Sequence, residues 1–265
     1  MENEDIMSKT TNHQNVPLNP LKWYKKLATK KGRIEAGAFL VEGPRAISQI
    51  ASGFSQEISE IIVSDDHLAS PYVNYPCRIV TETQLNSIAS TKTPQGIIAV
   101  VRLPADICSD ELPRDIGSKV LLLEDVQDPG NVGTIIRTAA AFGFNGIILS
   151  EKCADPVSPK CVQSTAGAVM SIWIRRTSGY LPLAGSLKEQ GYQLVVADVN
   201  GSESPAILNS TGDLVLALGN ESIGPSESLL NLADNIVCVP IDNEKVESLN
   251  VAVCGAVCMY LSSMQ

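Results

Sequence analysis

The sequence predicts an α/β protein in two parts, a smaller N-terminal α/β domain and a C-terminal domain built on a mostly parallel sheet. Three observations carry that expectation. Val120-Leu121-Leu122-Leu123 and Leu214-Val215-Leu216-Ala217-Leu218 are near-continuous aliphatic runs, the mark of strands buried on both faces. Such runs alternate with helical segments through the second half, as parallel crossovers require. A Pro- and Asp-rich stretch from Leu103 to Asp115, with little periodicity, separates this half from an earlier alternating segment. The expected division is a tail over 1–17, a first domain over 18–103, a linker over 104–117 and a second domain over 118–265.

The chain has 265 residues, 44% of them hydrophobic and 18% charged. That is enough apolar material for a core and too little charge for a disordered chain. No apolar run approaches a membrane span. The first 17 residues are polar and acidic, without the features of a signal or transit peptide. Seven cysteines lie scattered through apolar stretches. Cys254 and Cys258 sit four apart, but the two histidines, His13 and His67, are distant in sequence. Buried structural thiols, no metal site and a reducing cytoplasm are the expectation. The net charge of −9 argues against nucleic acid, yet seven basic residues against two acidic ones lie between Asn19 and Arg45. This local +5 stretch is either a phosphate-binding surface or a solvated helix face.

In chain order, residues 19–32 read as a helix carrying Leu21, Trp23, Tyr24 and Leu27, with Gly32 as its stop. A strand over 38–41, a turn at Glu42-Gly43-Pro44 and a helix over 45–51 follow. Strands at 60–63 and 78–80, a short helix over 83–89 and a strand over 96–101 complete the first domain. The second domain begins with a strand over 119–123, then a helix over 131–142 and a strand over 146–149. A helix over 160–170, strands at 192–198, 214–219 and 235–240, and a short helix over 225–232 follow. The last helix, over 249–261, is apolar almost all round, so it must be buried in the domain or against another subunit.

Ligands of open α/β sheets bind beyond the carboxyl ends of strands, and three strand-end segments stand out. In the first, Asp128-Pro129-Gly130-Asn131 opens a helix. Asn131 is a candidate N-cap, and Arg137 sits in the second turn of an apolar run. A guanidinium there needs a partner, either phosphate or a structural carboxylate. In the second, Leu218-Gly219-Asn220-Glu221-Ser222-Ile223-Gly224-Pro225, the glycines have the spacing of a phosphate-binding loop. Pro225 and Ser226 replace its Lys and Ser/Thr, so that reading is rejected, and no GxGxxG follows a strand. What remains is a Gly-flanked loop holding one carboxylate, Glu221. In the third, Ser248 is read as the cap of the last helix, with a polar Asn250 in its first turn.

Together these segments resemble the SpoU (TrmH-type) branch of the SPOUT RNA methyltransferases over roughly residues 119–262. Asn131, Gly133 and Arg137-Thr138-Ala139 match the first family motif. Gly219-Asn220-Glu221 with Gly224 matches the second, and Val239-Pro240 with Ser248-Leu249-Asn250-Val251 the third. Asp155-Pro156 through Ser164-Thr165-Ala166-Gly167-Ala168 is similar to a further family stretch. The loop between Pro240 and Ser248 is a residue longer than usual, with Ile241-Asp242-Asn243-Glu244 in place of Met-x-Gly. The strand-end cofactor contact is therefore left between Val239 and Ile241. Asn19-Pro20, Lys30-Lys31-x-Arg33, Phe39-x-Val41-Glu42-Gly43-x-Arg45 and Thr93-Pro94-Gln95-Gly96 resemble the substrate-binding domain attached to some members. Relatives of that pattern act on large-subunit ribosomal RNA.

The resemblance implies a C-terminal SPOUT trefoil-knotted α/β domain, a homodimer with the active site at the interface, and S-adenosylmethionine as cofactor. It implies methylation of a ribose 2′-hydroxyl of ribosomal RNA. Arg137, Asn131, Glu221, Ser248 and Asn250 become the candidate catalytic residues, with Glu221 expected to fix Arg137 or its own loop. Leu218, Gly219, Asn220, Gly224, Val239, Pro240, Ile241, Ser248, Leu249 and Asn250 become the cofactor contacts. Lys26, Lys30, Lys31, Arg33 and Arg45 are the candidate RNA contacts. The competing readings are a non-catalytic RNA-binding protein that keeps the fold, and methylation of a base or of transfer RNA.

Overall fold

The computed structural model describes residues 19–210 and 212–264; the expected tail lies outside them. The chain divides into two compact units with the main break between Pro104 and Ala105; Val157–Pro159 groups with the first.

The first unit orders α1 (Leu21–Lys26), α2 (Lys30–Ala36), β1 (Ala38–Glu42), α3 (Pro44–Gly53), β2 (Ile58–Val63), β3 (Cys77–Ile79), α4 (Glu82–Ile88) and β4 (Ile97–Arg102). The sheet order is β1-β4-β2-β3. The pairs β1/β4 and β2/β4 are antiparallel, and β2/β3 is parallel. Strand alternation sends Ala38, Ile62, Ile98 and Val100 to one face, where they pack with Tyr24, Leu27, Leu85 and Ile88 of the α1, α2 and α4 side. Ile47 and Ile50 of α3 are buried against β1 and β4, on the face presented by Phe39 and Val101. A carboxylate pins the end of β1: Glu42 accepts from the amides and hydroxyls of both Ser90 and Thr91 at 2.5–3.2 Å.

The single helix expected over 19–32 is two. Thr29 breaks it by capping α2, its Oγ1 accepting from Gly32 N at 3.1 Å. Gly32 lies inside α2, where a Cβ would meet Lys26 O at 2.0 Å. The stop is Gly37, in the left-handed region at φ 59°. The same break corrects one RNA contact. Arg33 is 3% exposed, and its Nη1 donates to Leu27 O at 2.9 Å and Ala28 O at 3.1 Å. It ties off the carbonyls freed where α1 ends and is structural.

The second unit orders β5 (Lys119–Leu123), α5 (Pro129–Ala141), β6 (Gly146–Ser150), α6 (Pro159–Thr165), β7 (Trp173–Thr177), α7 (Tyr180–Glu189), β8 (Gln193–Ala197), β9 (Leu214–Leu218), α8 (Glu227–Leu232), β10 (Asn235–Val237) and α9 (Val251–Ser263). The sheet order is β10-β8-β9-β5-β6-β7, every pairing parallel. Leu183, Ala184 and Leu187 of α7 and Leu229 of α8 pack on one face, against Val120, Leu122, Val196 and Val215. α5 and α9 pack together, and α9 also contacts β8 and β9. At Gly255 of α9 a Cβ would meet Leu218 Cδ1 at 2.7 Å, so glycine sets that close approach.

Several boundaries differ from the expectation. β7 and α7 went unforeseen. The helix expected over 160–170 breaks after Thr165, where Ala166 (φ 51°) and Gly167 (φ 95°) turn left-handed before a 3-10 turn at Ala168–Met170. The strand expected over 235–240 ends at Val237. α9 is half covered, with Val253 and Tyr260, and Met264 just after it, about half exposed. Of the thiols, Cys77, Cys153, Cys161 and Cys258 are buried, Cys238 and Cys254 half-buried, and Cys108 exposed.

Residues 105–117, expected as a linker, are tied along β7. Arg175 is buried at 3% exposure; its Nη2 meets Asp106 Oδ2 at 2.6 Å and its Nε donates to Glu111 O at 2.7 Å. Trp173 Nε1 donates to Ile116 O at 2.9 Å and Arg176 N to Ile107 O at 2.8 Å. Asp106 is 58% exposed and keeps its hydration, whereas the carbonyl of Glu111 depends on the arginine. Replacing Arg175 by Ala should cost about 2–3 kcal/mol, and Asp106→Ala less than about 1 kcal/mol, in urea unfolding of the intact chain.

Within the first unit, Tyr24 OH donates to both oxygens of Glu60 at 2.7–2.8 Å, and Arg78 Nε lies 3.6 Å away. Burial, partly offset by Tyr24 and Arg78, raises the Glu60 pKa above its ordinary 4.5. Folding therefore favours the protonated acid. The contribution is fully present below the unfolded pKa and is lost as pH rises through the folded one. Glu60→Gln should flatten the stability change of this unit between about pH 4.5 and neutrality, measured by thermal melts across that range.

Candidate functional site

Four loops at the carboxyl ends of β8, β9, β10 and β5 converge, as an open parallel sheet dictates. The helix after β5 starts earlier than expected. Asp128, not Asn131, is its N-cap, accepting from Gly130 N at 2.6 Å and Asn131 N at 3.1 Å, with Pro129 at the first helical position. Lys160 Nζ, 2.9 Å from Asp128 Oδ2, and the Asn131 amide hold the Asp128 carboxyl below the ordinary range. Freed from capping, the Asn131 side chain points into the site. Gly133 is required by packing, since a Cβ there would meet Cys161 O of α6 at 2.4 Å.

The loop after β9 folds back on itself. A Cβ on Gly219 would meet Pro225 N at 2.2 Å. Asn220 Oδ1 accepts from Ser222 N and Ile223 N at 2.9 and 3.2 Å, while its Nδ2 donates to Asp125 O at 2.8 Å. The far end is held by Glu124, 3% exposed at the tip of β5, which accepts from Ser226 N at 2.6 Å, Ser226 Oγ at 2.7 Å and Tyr180 OH at 2.5 Å. Burial and the Glu124 carboxylate push the Tyr180 pKa far up, so it stays a donor.

Glu221 then joins the motifs. Its Oε1 accepts from Asn131 Nδ2 at 3.1 Å, and its two oxygens accept from Gln127 N and Asp128 N at 3.3 and 3.4 Å. Asn131 Oδ1 in turn accepts from Asn250 Nδ2 at 3.1 Å. Asn250, not Ser248, caps α9, its Oδ1 accepting from Ala252 N and Val253 N at 2.9 and 3.3 Å. The polar residue that capping did not explain in the sequence is the cap itself. Glu221 does not fix Arg137: that arginine lies on the exposed stripe of α5 and forms no hydrogen bond or ion pair with another described residue.

Beside this chain lies a cavity of about 250 Å³. Of the expected cofactor contacts, Leu218, Gly219, Asn220, Gly224, Val239, Ile241, Ser248 and Leu249 line it, while Pro240 and Asn250 do not. Both strand-end candidates, Val239 and Ile241, are therefore in the wall. Sequence reasoning missed Asp198 and Asn200, which follow β8 and also line it; the strand-end rule applied to β8 would have found them. The cavity has apolar walls from Leu218, Ile241 and Leu249. The backbone N–H groups of Val239, Ile241 and Leu249 donate to no other described residue. No cluster of three metal-ligating side chains occurs among the described residues. Lys26, Lys30 and Lys31 belong to the α1–α2 side of the first sheet and Arg45 to α3 on the other, so the basic stretch is not one patch.

Residues 118–260 match the model of the SpoU rRNA Methylase family, and residues 19–99 match an MRM3-like substrate binding domain. The chain is 34% identical over 244 residues to the 23S rRNA (guanosine(2553)-2'-O)-methyltransferase RlmP of Bacillus subtilis, covering 91% of this chain and 94% of that one. It superposes on the SpoU methyltransferase AviRb of Streptomyces viridochromogenes, in complex with AdoMet, with a TM-score of 0.80 at 25% identity, over 93% and 97% of the two chains. An AdoMet-bound rRNA methyltransferase from Sinorhizobium meliloti gives 0.77 at 28% identity over 92% and 94%. With more than half its length inside the family model and its three motif loops joined in one hydrogen-bonded chain, this protein belongs to the SpoU rRNA methylase family.

Proposed function

We propose that the chain is an S-adenosylmethionine-dependent methyltransferase acting on a ribose 2′-hydroxyl of ribosomal RNA. The observation that carries this is the convergence of Asn131, Glu221 and Asn250 beside a strand-end cavity of about 250 Å³. The cavity suits the cofactor chemically. Free backbone amides at Val239, Ile241 and Leu249 match a purine edge, and apolar side chains match its faces. When bound, S-adenosylmethionine supplies a methyl group on a sulfonium.

The protein's own part is alignment and charge. An attacking hydroxyl has to be held in line with the methyl, and orientation alone supplies a large share of such a rate. Asn131, Ser248 and Asn250 orient the ribose, and Glu221 fixes Asn131 and the loop before α5. Arg137 stays protonated in proteins and is a poor base. Its free guanidinium clamps an RNA phosphate and stabilises negative charge developing on the 2′-oxygen. Lys26, Lys30, Lys31 and Arg45 contribute phosphate contacts from the first unit.

We further propose a homodimer, a trefoil knot and a cytoplasmic setting. The half-exposed apolar residues Val253 and Tyr260 of α9 and Met264 after it support the dimer. The knot is proposed from the resemblance to the family alone. All seven cysteines are free, which supports a reducing compartment.

Incubation with labelled S-adenosylmethionine and total RNA from cells lacking the gene should place label in an alkali-resistant dinucleotide. Arg137→Ala should lower turnover about 100-fold or more and leave cofactor affinity by calorimetry unchanged. Label in a base would overturn the ribose assignment. No label together with no cofactor binding would leave an RNA-binding protein that keeps the fold.

A further inference from the structure

We infer that Asp198 is the residue that recognises the ribose hydroxyls of the cofactor's nucleoside; this rests on the methyltransferase reading above. Asp198 follows β8 and lines the cavity. Its carboxylate is half committed. Oδ1 accepts from Asn200 N at 2.7 Å, which fixes the orientation, and Oδ2 has no partner among the described residues. The other carboxylate in the wall, Glu221, is occupied on both oxygens. Asp198 Oδ2 is thus the acidic acceptor left for a ligand among the described wall residues.

Space at that oxygen is kept by Gly224, which sits at φ 72° and whose Cβ, if present, would lie 3.2 Å from Oδ2. The position selects the ribose over the other polar parts of the cofactor. The free amides that suit the purine edge follow β10, and β10 pairs directly with β8. Neighbouring strands stand about 4.8 Å apart. The loop carrying Asp198 is pressed against the end of β10, because a Cβ on Gly201 would meet Val237 C at 2.6 Å. A carboxylate one strand spacing from those amides would reach the sugar of a purine nucleoside held by them. A fixed carboxylate with one open oxygen accepts from a vicinal diol, as acidic residues at strand ends do in dinucleotide folds.

The test is calorimetry on the full chain with S-adenosylhomocysteine, 5′-methylthioadenosine and the 2′,3′-dideoxy analogue of the latter. Asp198→Asn keeps the Asn200 contact and replaces the open acceptor by a donor. It should weaken the first two ligands equally, by about tenfold. The wild type should lose a similar factor on the dideoxy analogue, and the variant should not. Unchanged binding of methylthioadenosine by Asp198→Asn overturns the inference, as does a loss confined to S-adenosylhomocysteine, which alone carries the ammonium. If the variant melts early, the wild-type comparison of methylthioadenosine with its dideoxy analogue decides: equal affinities overturn the inference. Failure of the wild type to bind any of the three would instead overturn the methyltransferase reading.

Discussion

Loops that follow separate strands have to meet within hydrogen-bond distance for this site to exist, and the carboxylate of Glu221 is what brings them there. It gathers the amides of Gln127 and Asp128 and the side chain of Asn131 from the β5 loop. Asn131 passes the link to Asn250 at the start of α9. Each side chain has a second task that holds it still. Asn250 caps a helix whose far end is anchored by Lys119 Nζ on Ser262 O at 2.6 Å, and such a cap is worth about 1 kcal/mol. Removing one link therefore disturbs orientation in all the loops, and the three residues are better regarded as one unit than as separate catalytic contributions.

Beneath that unit lies a set of contacts serving only to shape the β9 loop. Glu124 is buried, and both of its oxygens are satisfied, by Tyr180 OH and by the amide and hydroxyl of Ser226. Asn220 closes the loop through its own backbone and bridges to Asp125 O. The β9 part of the cavity wall is consequently held in a fixed shape. The loop that carries Ile241-Asp242-Asn243-Glu244, longer and of a different pattern, still brings Ile241 to the cavity.

The parallel sheet was legible because its strands are aliphatic runs, and the motif loops because glycine, asparagine and carboxylate cluster at strand ends. β7 was hidden because Trp173-Ile174-Arg175-Arg176-Thr177 looks polar; Arg175 is buried only because residues 105–117 supply acceptors from far away in sequence. α7 was hidden by Pro182, which falls in the first turn, where no amide is needed within the helix. The two misplaced caps share a cause. Asp128 and Asn131, or Ser248 and Asn250, are each competent, and the choice belongs to the position of the first helical residue. Pro129 and Val251 mark that position locally. Glu221 could not be paired from sequence at all, since its partners lie 90 or more residues away.

The site must also work within an acidic chain of net charge −9. Long-range attraction cannot draw RNA to such a protein, and beyond about 8 Å physiological salt screens what field there is. Recognition has to come from short-range contacts. This gives Arg137 its meaning. The acids of the motif loops are engaged with other groups: Glu221 with Asn131, Asp128 with Lys160, Asp125 with Lys152 and Ser150. Each local acid has been given another partner, and the guanidinium remains outside those pairings. The hydrogen bonding of the loops thus leaves Arg137 on α5 exposed and without an ionic partner among the described residues.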